Sequence, residues 1–313
     1  MEEREWGKGP APVASVGSHG TPVAAATLYV VATPLGHLRD ITLRALDVLA
    51  AVDSIYAEDT RVSAVLLARY GITARPQALH AHNEDRRAAD VIAALAAGSS
   101  VALITDAGTP AVSDPGARVV HAVRAAGFDV VPVPGPSALV AAVSAAGLVA
   151  QRLLFAGFLP VKRGERDLVL ESLAGLDAAL VFYEAPHRIA RTVDALARVL
   201  DGKRTLVVAR ELTKTFETIA TMALAEAPAW IAADANRERG EFVLIVDGPL
   251  IANAAPVPVA EAQQWIKALL GEMPPSRAAQ VVAKMTGVSR DELYRYAMTL
   301  KGSRGRVHAS ASA

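Results

Sequence analysis

Short apolar runs punctuate the first half of the chain, at residues 27–32 (TLYVVA), 54–57, 101–104 (VALI) and 130–133. Each is too short for a helix and rich in Val, Ile, Leu or Tyr, which predicts buried strands. A further strand is expected near residues 77–82. Between the runs lie stretches with helical spacing, such as Leu43, Leu46 and Leu49 on one face. Asp40 is the expected N-cap of that helix, which should reach Val52, and Asn83 that of the helix ending at Gly98. Gly71 and Gly127 are expected to stop two others, and the small-residue stretch 138–146 reads as one more. Strand and helix alternate every 20–30 residues or so, the pattern of a mostly parallel, doubly wound sheet.

The pattern then repeats with strands expected at 153–158, 179–184, 205–209 and 241–247. Pro186 suits the first position of a helix running to Leu200. After Gly248 the composition turns to Pro, Ala and Asn, a linker. Three helical stretches follow, 260–270, 276–285 and 289–300, with Gly287 in a short turn and Ser289 and Glu292 spaced as a capping box. The expected fold class is α/β: two α/β domains with mostly parallel sheets forming a cleft, plus a small C-terminal helix-turn-helix-like appendage. The expected boundaries are a disordered leader 1–26, domains 27–148 and 149–248, a linker 249–258, the appendage 259–301 and a tail 302–313.

Composition narrows the class. Of 313 residues, 52% are apolar and 20% charged, as in soluble globular proteins. No run of about 18 apolar residues predicts a membrane span, and the first residues, MEERE, lack a signal-peptide layout. The expected location is the cytoplasm. Cys is absent, which removes disulfides, thiolate metal sites and Cys nucleophiles. Thirty-two basic residues balance 32 acidic ones, so nucleic-acid binding would rest on local patches.

Missing motifs narrow it further. There is no G-x-G-x-x-G after the first strand, no G-x-x-x-x-G-K-[ST] and no G-x-S-x-G. His80 and His82 lack further ligands at metal spacing, so no metal site is expected. What stands out is VALITDAGTPAVSDPG, residues 101–116, where a buried strand opens into a loop with two Asp, two Gly and two Pro. In an open α/β sheet, ligands bind outside the carboxyl ends of the strands. A cleft of backbone-rich loops with few nucleophiles suits positioning chemistry such as methyl transfer from a sulfonium.

The strings LYVVATPLGHLRDITLRAL, AEDTR, TDAGTPAVSDPG, VPGPSALVAA, FAGFLP, FYEAPHR, ARELTK and GEFVLIV occur in this order across residues 28–246. Through them the chain resembles the ribosomal RNA small subunit methyltransferase I family of the tetrapyrrole-methylase superfamily. The resemblance implies a homodimer that binds S-adenosylmethionine between two α/β domains. It implies methylation of the ribose 2′-hydroxyl of a cytidine in the decoding region of 16S rRNA, within the small ribosomal subunit. Cofactor contacts carried over are Pro34, then Asp106, Ala107, Gly108 and Pro110, then Pro134, Gly135, Ser137 and Ala138. Leu159, Phe182, Tyr183 and Ala209 come from the second domain. Where porphyrin-type relatives carry a Gly-rich loop after the first strand, this chain has TPLGH. A tetrapyrrole methyltransferase is therefore the lesser alternative, with a non-catalytic ribosome-assembly factor as another.

A ribose hydroxyl is a weak acid and needs a base or a cation beside its oxygen. Candidates facing the cleft are Glu58, Asp59 and Arg61, then Glu184, His187 and Arg188, then Arg210, Glu211 and Lys214. Glu58 or Glu211 is the expected base or its orienter, with Arg61 and Lys214 holding phosphate. Lys162, Arg163, Arg166, Arg191, Lys203, Arg204 and the basic tail (Lys301, Arg304, Arg306, His308) are candidate RNA contacts.

Overall fold

A computed structural model describes residues 22–149, 152–248 and 259–309, with the backbone alone for 301–309. The residues fall into two compact units, one on either side of Pro249-Leu250. The first 21 residues of the expected leader, the expected linker and the last four residues of the tail lie outside the described residues. Residues 22–26 are held: Val23 packs on the core and the Ala24 N–H donates to the Tyr29 hydroxyl at 2.8 Å.

The first unit holds two five-stranded sheets. Sheet one takes β1 (Thr27–Val31), β2 (Ser54–Ala57), β3 (Gln77–Ala78), β4 (Val101–Ile104) and β5 (Asp129–Val133), in the order β3-β2-β4-β1-β5. All its pairings are parallel. Helices α1 (Leu43–Ala51), α2 (Thr60–Arg69), α3 (Glu84–Ala96) and α4 (Ala117–Ala125) connect these strands, and α5 (Ala138–Ala145) follows β5. Val101 to Ile104 are all buried, as expected of a strand covered on both faces. The chain reverses direction across the sheet around β1 and β4, so the loops after β1, β4 and β5 open at one place.

Sheet two takes β6 (Leu153–Phe158), β7 (Ala179–Glu184), β8 (Thr205–Arg210), β9 (Thr218–Ala223) and β10 (Phe242–Val246), in the order β6-β7-β10-β8-β9. It is mixed: β6 and β7 are parallel, and the other three pairs antiparallel. Helices α6 (Arg163–Leu173), α7 (Ile189–Val199) and α8 (Ala227–Ala232) belong to this half. Alternation along the strands divides its side chains. Leu180, Phe182, Leu206, Val208, Leu244 and Val246 join one core with α7, and Val181, Val207, Ala209, Val243 and Ile245 join another with Leu35 and α5.

Several local expectations are corrected. The α1 cap is Thr42, whose hydroxyl accepts from the Ala45 N–H at 3.1 Å, because residues 38–40 form a 3-10 turn that includes Asp40. Asn83 stands at the N-cap of α3 as expected, but its side chain accepts from the His80 N–H at 2.9 Å and not from the helix. Pro186 precedes α7 in a turn. β9 was not anticipated.

The second unit packs α9 (Val259–Leu269), α10 (Pro275–Thr286) and α11 (Arg290–Ala309) around Ala262, Ile266, Ala279, Val282, Leu293 and Ala297. Gly287 closes α10 in the left-handed region, with φ of 72°. α11 continues beyond the expected end at Leu300, since no Pro follows and glycines weaken a helix without blocking it. Among the described residues, no helix is long and apolar enough to cross a membrane.

Candidate functional site

The loops at the carboxyl ends of sheet one meet sheet two around a cavity of about 340 Å³. Its position follows from two local devices. Thr33 and Gly108 exchange backbone hydrogen bonds at 2.9 and 3.0 Å, which ties the loop after β1 to the loop after β4. Beyond them the β4 loop turns at Ala111 and Ser113, with φ of 67° and 63°, conformations unfavourable for side-chain-bearing residues. Sheet two meets this turn at the bulge in β6, where Gly157 has φ of 66° and a Cβ would lie 2.9 Å from Ser113 Oγ.

Five carboxyl groups line the cavity: Glu58, Asp106, Asp114, Glu184 and Glu241. Leu35, Val112, Phe158, Tyr183, Leu212 and Phe242 supply much of its apolar wall. No Arg, Lys or His is among the described lining residues. Two cations pair with lining carboxylates. Arg188 Nε pairs with Glu184 at 3.0 Å, and Lys214 Nζ reaches Glu241 at 3.0 Å and Glu211 at 2.7 Å.

Each carboxyl is positioned differently. Asp106 Oδ1 accepts the Asp59 N–H at 3.0 Å, joining β2's end to the β4 loop. Glu58 accepts from the Thr105 hydroxyl at 2.8 Å. Glu184, 2% exposed, accepts from Thr192 Oγ1 at 2.6 Å and the Ala185 N–H at 2.8 Å. Asp114 is pushed up to about 7 by burial first and then by the negative charge of Glu58, with Asp106 and Glu241 adding to it; a Thr105 hydrogen bond opposes the rise. Tyr183 is raised by burial, and its hydroxyl accepts from the Leu139 N–H at 3.0 Å, linking β7 to α5.

Of the expected cofactor contacts, Asp106, Ala107, Ala138 and Tyr183 line the cavity. Pro34, Gly108 and Pro110 are buried in the two tied loops, and Pro134, Gly135 and Ser137 form the turn into α5, where Ser137 Oγ accepts from the Val140 N–H. Leu159, Phe182 and Ala209 are not among the lining residues. A strand sends adjacent side chains to opposite faces, so with Tyr183 at the cavity Phe182 points into the α7 core. Leu159 joins that same core, and Ala209 is fully buried.

Of the nine candidate groups for the acceptor side, Glu58 and Glu184 line the cavity, and of the four expected in catalysis Glu58 does. Glu211 Oε1 is taken by Lys214 and by the Glu241 N–H at 2.9 Å, outside the lining. Arg61 is bound by Asp59 at 2.6 Å, which holds the Asp59 carboxyl down at about 2. Arg210 donates to the Phe216 carbonyl, and Arg188 donates to the Leu159 carbonyl. Two expected RNA contacts are buried, Arg166 at 7% and Arg204 at 1% exposure. The side chains of Lys301, Arg304, Arg306 and His308 lie outside the described residues. Asp114, Glu241 and Thr105 line the cavity without being among the expected site residues, although all three stand inside the quoted motifs.

Known proteins match this chain in sequence and in fold. Residues 27–228 match the tetrapyrrole (corrin/porphyrin) methylases and residues 256–301 the RsmI C-terminal HTH domain. A cobalt precorrin-4 methyltransferase of cobalamin biosynthesis superposes with a TM-score of 0.54 at 19% identity, covering 71% of this chain and 95% of its own. The methyltransferase CobJ gives 0.55 at 22%, over 71% and 93%. These two likenesses establish the fold. The ribosomal RNA small subunit methyltransferase I of Mesorhizobium japonicum is 50% identical over 89% of this chain and 93% of its own length. Those of Vibrio cholerae and Escherichia coli O157:H7 are each 46% identical over 88% and 96%. The chain therefore belongs to the ribosomal RNA small subunit methyltransferase I family, within the tetrapyrrole methylases.

Proposed function

We propose that this protein transfers a methyl group from S-adenosylmethionine to the ribose 2′-hydroxyl of a cytidine in the decoding region of 16S rRNA. It acts on the small ribosomal subunit, as a homodimer in the cytoplasm. The observation that carries the reading is the cavity between the sheets, lined by five carboxyl groups and by apolar side chains, in a chain of this family. Such a lining fits a cationic sulfonium and ammonium joined to a flat adenosine. Asp106 and Ala107 from the β4 loop, Ala138 from α5 and Tyr183 from β7 would hold it. When bound, the donor supplies an electrophilic methyl carbon.

The chain's own residues then have three tasks. Leu35, Phe158 and Phe242 exclude water from the apolar wall of the cavity. The carboxylates favour positive charge inside and disfavour RNA phosphate, so only the acceptor ribose enters. Glu58 stands ready to accept the hydroxyl proton. Phosphates are met outside, by Arg61 (74% side-chain exposure) and by Lys162, Arg163, His187 and Arg191. These contacts make affinity fall as salt rises.

The test is incubation of isotopically labelled S-adenosylmethionine with small subunits from a strain lacking this protein, followed by mapping of ribose methylation. Label at a single cytidine 2′-oxygen is expected. Label on a base, or none, overturns the reading.

A further inference from the structure

We propose that Phe158 is the platform on which the base of the acceptor nucleotide stacks, and that the bulge in β6 turns its ring into the cavity. The inference rests on the function proposed above for the identity of that nucleotide.

β6 changes register partway along. Leu153, Leu154 and Phe155 pair in step with Ala179, Leu180 and Val181 of β7. The next paired residue is Gly157, opposite Phe182, so Ala156 is one residue more than the ladder needs. In an unbroken strand, residues three apart point to opposite faces. The extra residue cancels that alternation. Phe155 and Phe158 both reach Tyr183, with ring centroids 4.8 and 5.9 Å from it, and Ala156 packs on the opposite core. Without the bulge Phe158 would stand level with Glu184, on the face that carries Phe182 into the α7 core.

The chain is anchored on both sides of Phe158. Gly157 passes so close to the β4 loop that a Cβ would lie 2.9 Å from Ser113 Oγ. Leu159 is buried in the α7 core, and its carbonyl accepts from Arg188 Nη2. Glu184 holds Arg188 in turn at 3.0 Å, and accepts from Thr192 Oγ1 at 2.6 Å.

The ring itself is open. Phe158 is 49% exposed, whereas Leu35, Leu212 and Phe242 in the same lining are buried. Tyr183 meets it in a T-shaped pair, which covers at most one ring face. A base drawn out of an RNA strand recovers its lost stacking on such a face. Position favours the acceptor base over the donor's adenine. The Tyr183 hydroxyl is turned to the Leu139 N–H on α5, beside Ala138, whereas Phe158 ends the edge strand of its sheet. Four and five residues further on stand Lys162 and Arg163, both exposed. Their partners, Glu165 at 3.0 Å and Asp167 at 3.7 Å, form surface pairs that a phosphate can replace at little cost. A base on Phe158 directs the phosphates of its strand toward these cations and away from the acidic lining.

The test uses Phe158→Ala, Phe158→Leu and Phe158→Tyr. Calorimetry reads S-adenosylmethionine affinity, and single-turnover methylation of unmodified small subunits below saturation reads the acceptor side. Phe158→Ala is expected to bind the donor within about twofold of wild type and to methylate about tenfold or more slower. Phe158→Tyr keeps a flat ring and should return to within about threefold of wild type. Phe158→Leu keeps bulk without a flat face and should stay close to Phe158→Ala. A fall in donor affinity as large as the fall in methylation puts the ring on the adenine and overturns the proposal. So do full activity in Phe158→Ala or Phe158→Leu, and no recovery in Phe158→Tyr. A change of oligomeric state in sedimentation of Phe158→Ala puts the ring against a second copy and overturns it too. Labelling by the wild-type protein tests the function, and the ratios between variants test the platform, so the two fail separately.

Discussion

The carboxylate of Glu84 accepts the Gly116 N–H at 2.9 Å, although the two residues are 32 positions apart. Gly116, with φ of 123°, is the N-cap of α4 and has no side chain to serve its own helix. The charge from α3 does so instead, also taking the Arg118 N–H at 2.8 Å. Glu84→Ala leaves those N–H groups unmet and should destabilise the protein by about 1–3 kcal/mol, read as a lower thermal midpoint. Glu84→Gln keeps an acceptor and should lose less than half of that.

Asp114 makes stability depend on pH in a defined direction. Its folded carboxyl titrates near 7 and its unfolded one near the ordinary 3.8, so between those values the folded state holds a proton that the unfolded state has released. Stability from this group is therefore present below about pH 4 and is lost as pH rises toward 7. Asp114→Asn removes the dependence. The variant should match wild type near pH 4 and exceed it by about 1–2 kcal/mol at pH 8, a figure reduced for the group's partial solvation. Denaturant titrations at the two pH values check it.

Lys214 bridges Glu211 and Glu241, and its stem lies where a Cβ on Gly36 would stand. Thr213 beside it accepts the His37 N–H at 3.1 Å, so this loop fastens sheet two to the loop after β1. Lys214→Ala leaves two carboxylates facing each other. It should lower stability by about 1 kcal/mol, the loss growing at low salt, which a pair of melting curves at two ionic strengths would show.

Gly240 has φ of 92° and touches the Glu211 side chain. Gly240→Ala adds both strain and overlap there, so its cost should exceed about 1 kcal/mol. It should also weaken S-adenosylmethionine binding severalfold by displacing Glu241, measured by calorimetry.

Tyr183→Phe keeps the ring at the cavity and removes the acceptor for the Leu139 N–H. A loss of about 1 kcal/mol in stability is expected, with cofactor affinity changed less than threefold.

Sheet one was legible in the sequence because most of its strands are short apolar runs, separated by helical stretches that end at Gly71, Gly98 and Gly127. VALI at 101–104 has one sensible reading. β9 was not legible: TIATMA is an edge strand with half-exposed side chains, and its small residues carry little hydrophobic signal. Nor does periodicity state direction, so the antiparallel placement of β10 between β7 and β8 came only with the structure. That placement is what sets Glu241 over the cavity. Asp114 was hidden differently. Asp106 and Asp114 stand eight positions apart in one loop, and which of them is buried among like charges depends on left-handed turns at Ala111 and Ser113. Alanine and serine give no notice of such turns, whereas glycine would have. Arg204 misled for the opposite reason: it reads as a surface cation beside Lys203, yet it donates inward to the Asp247 carbonyl at 2.6 Å.

The acidic lining has a consequence for the protein's life among other metabolites. Adenine nucleotides share the adenosine half of the proposed donor and are abundant wherever ribosomes are made. Every one of them carries phosphate, and the described lining offers that phosphate carboxylates and no cation. On the function proposed here, the cavity would act as a charge filter, keeping adenosine recognition from becoming inhibition by the cell's energy currency.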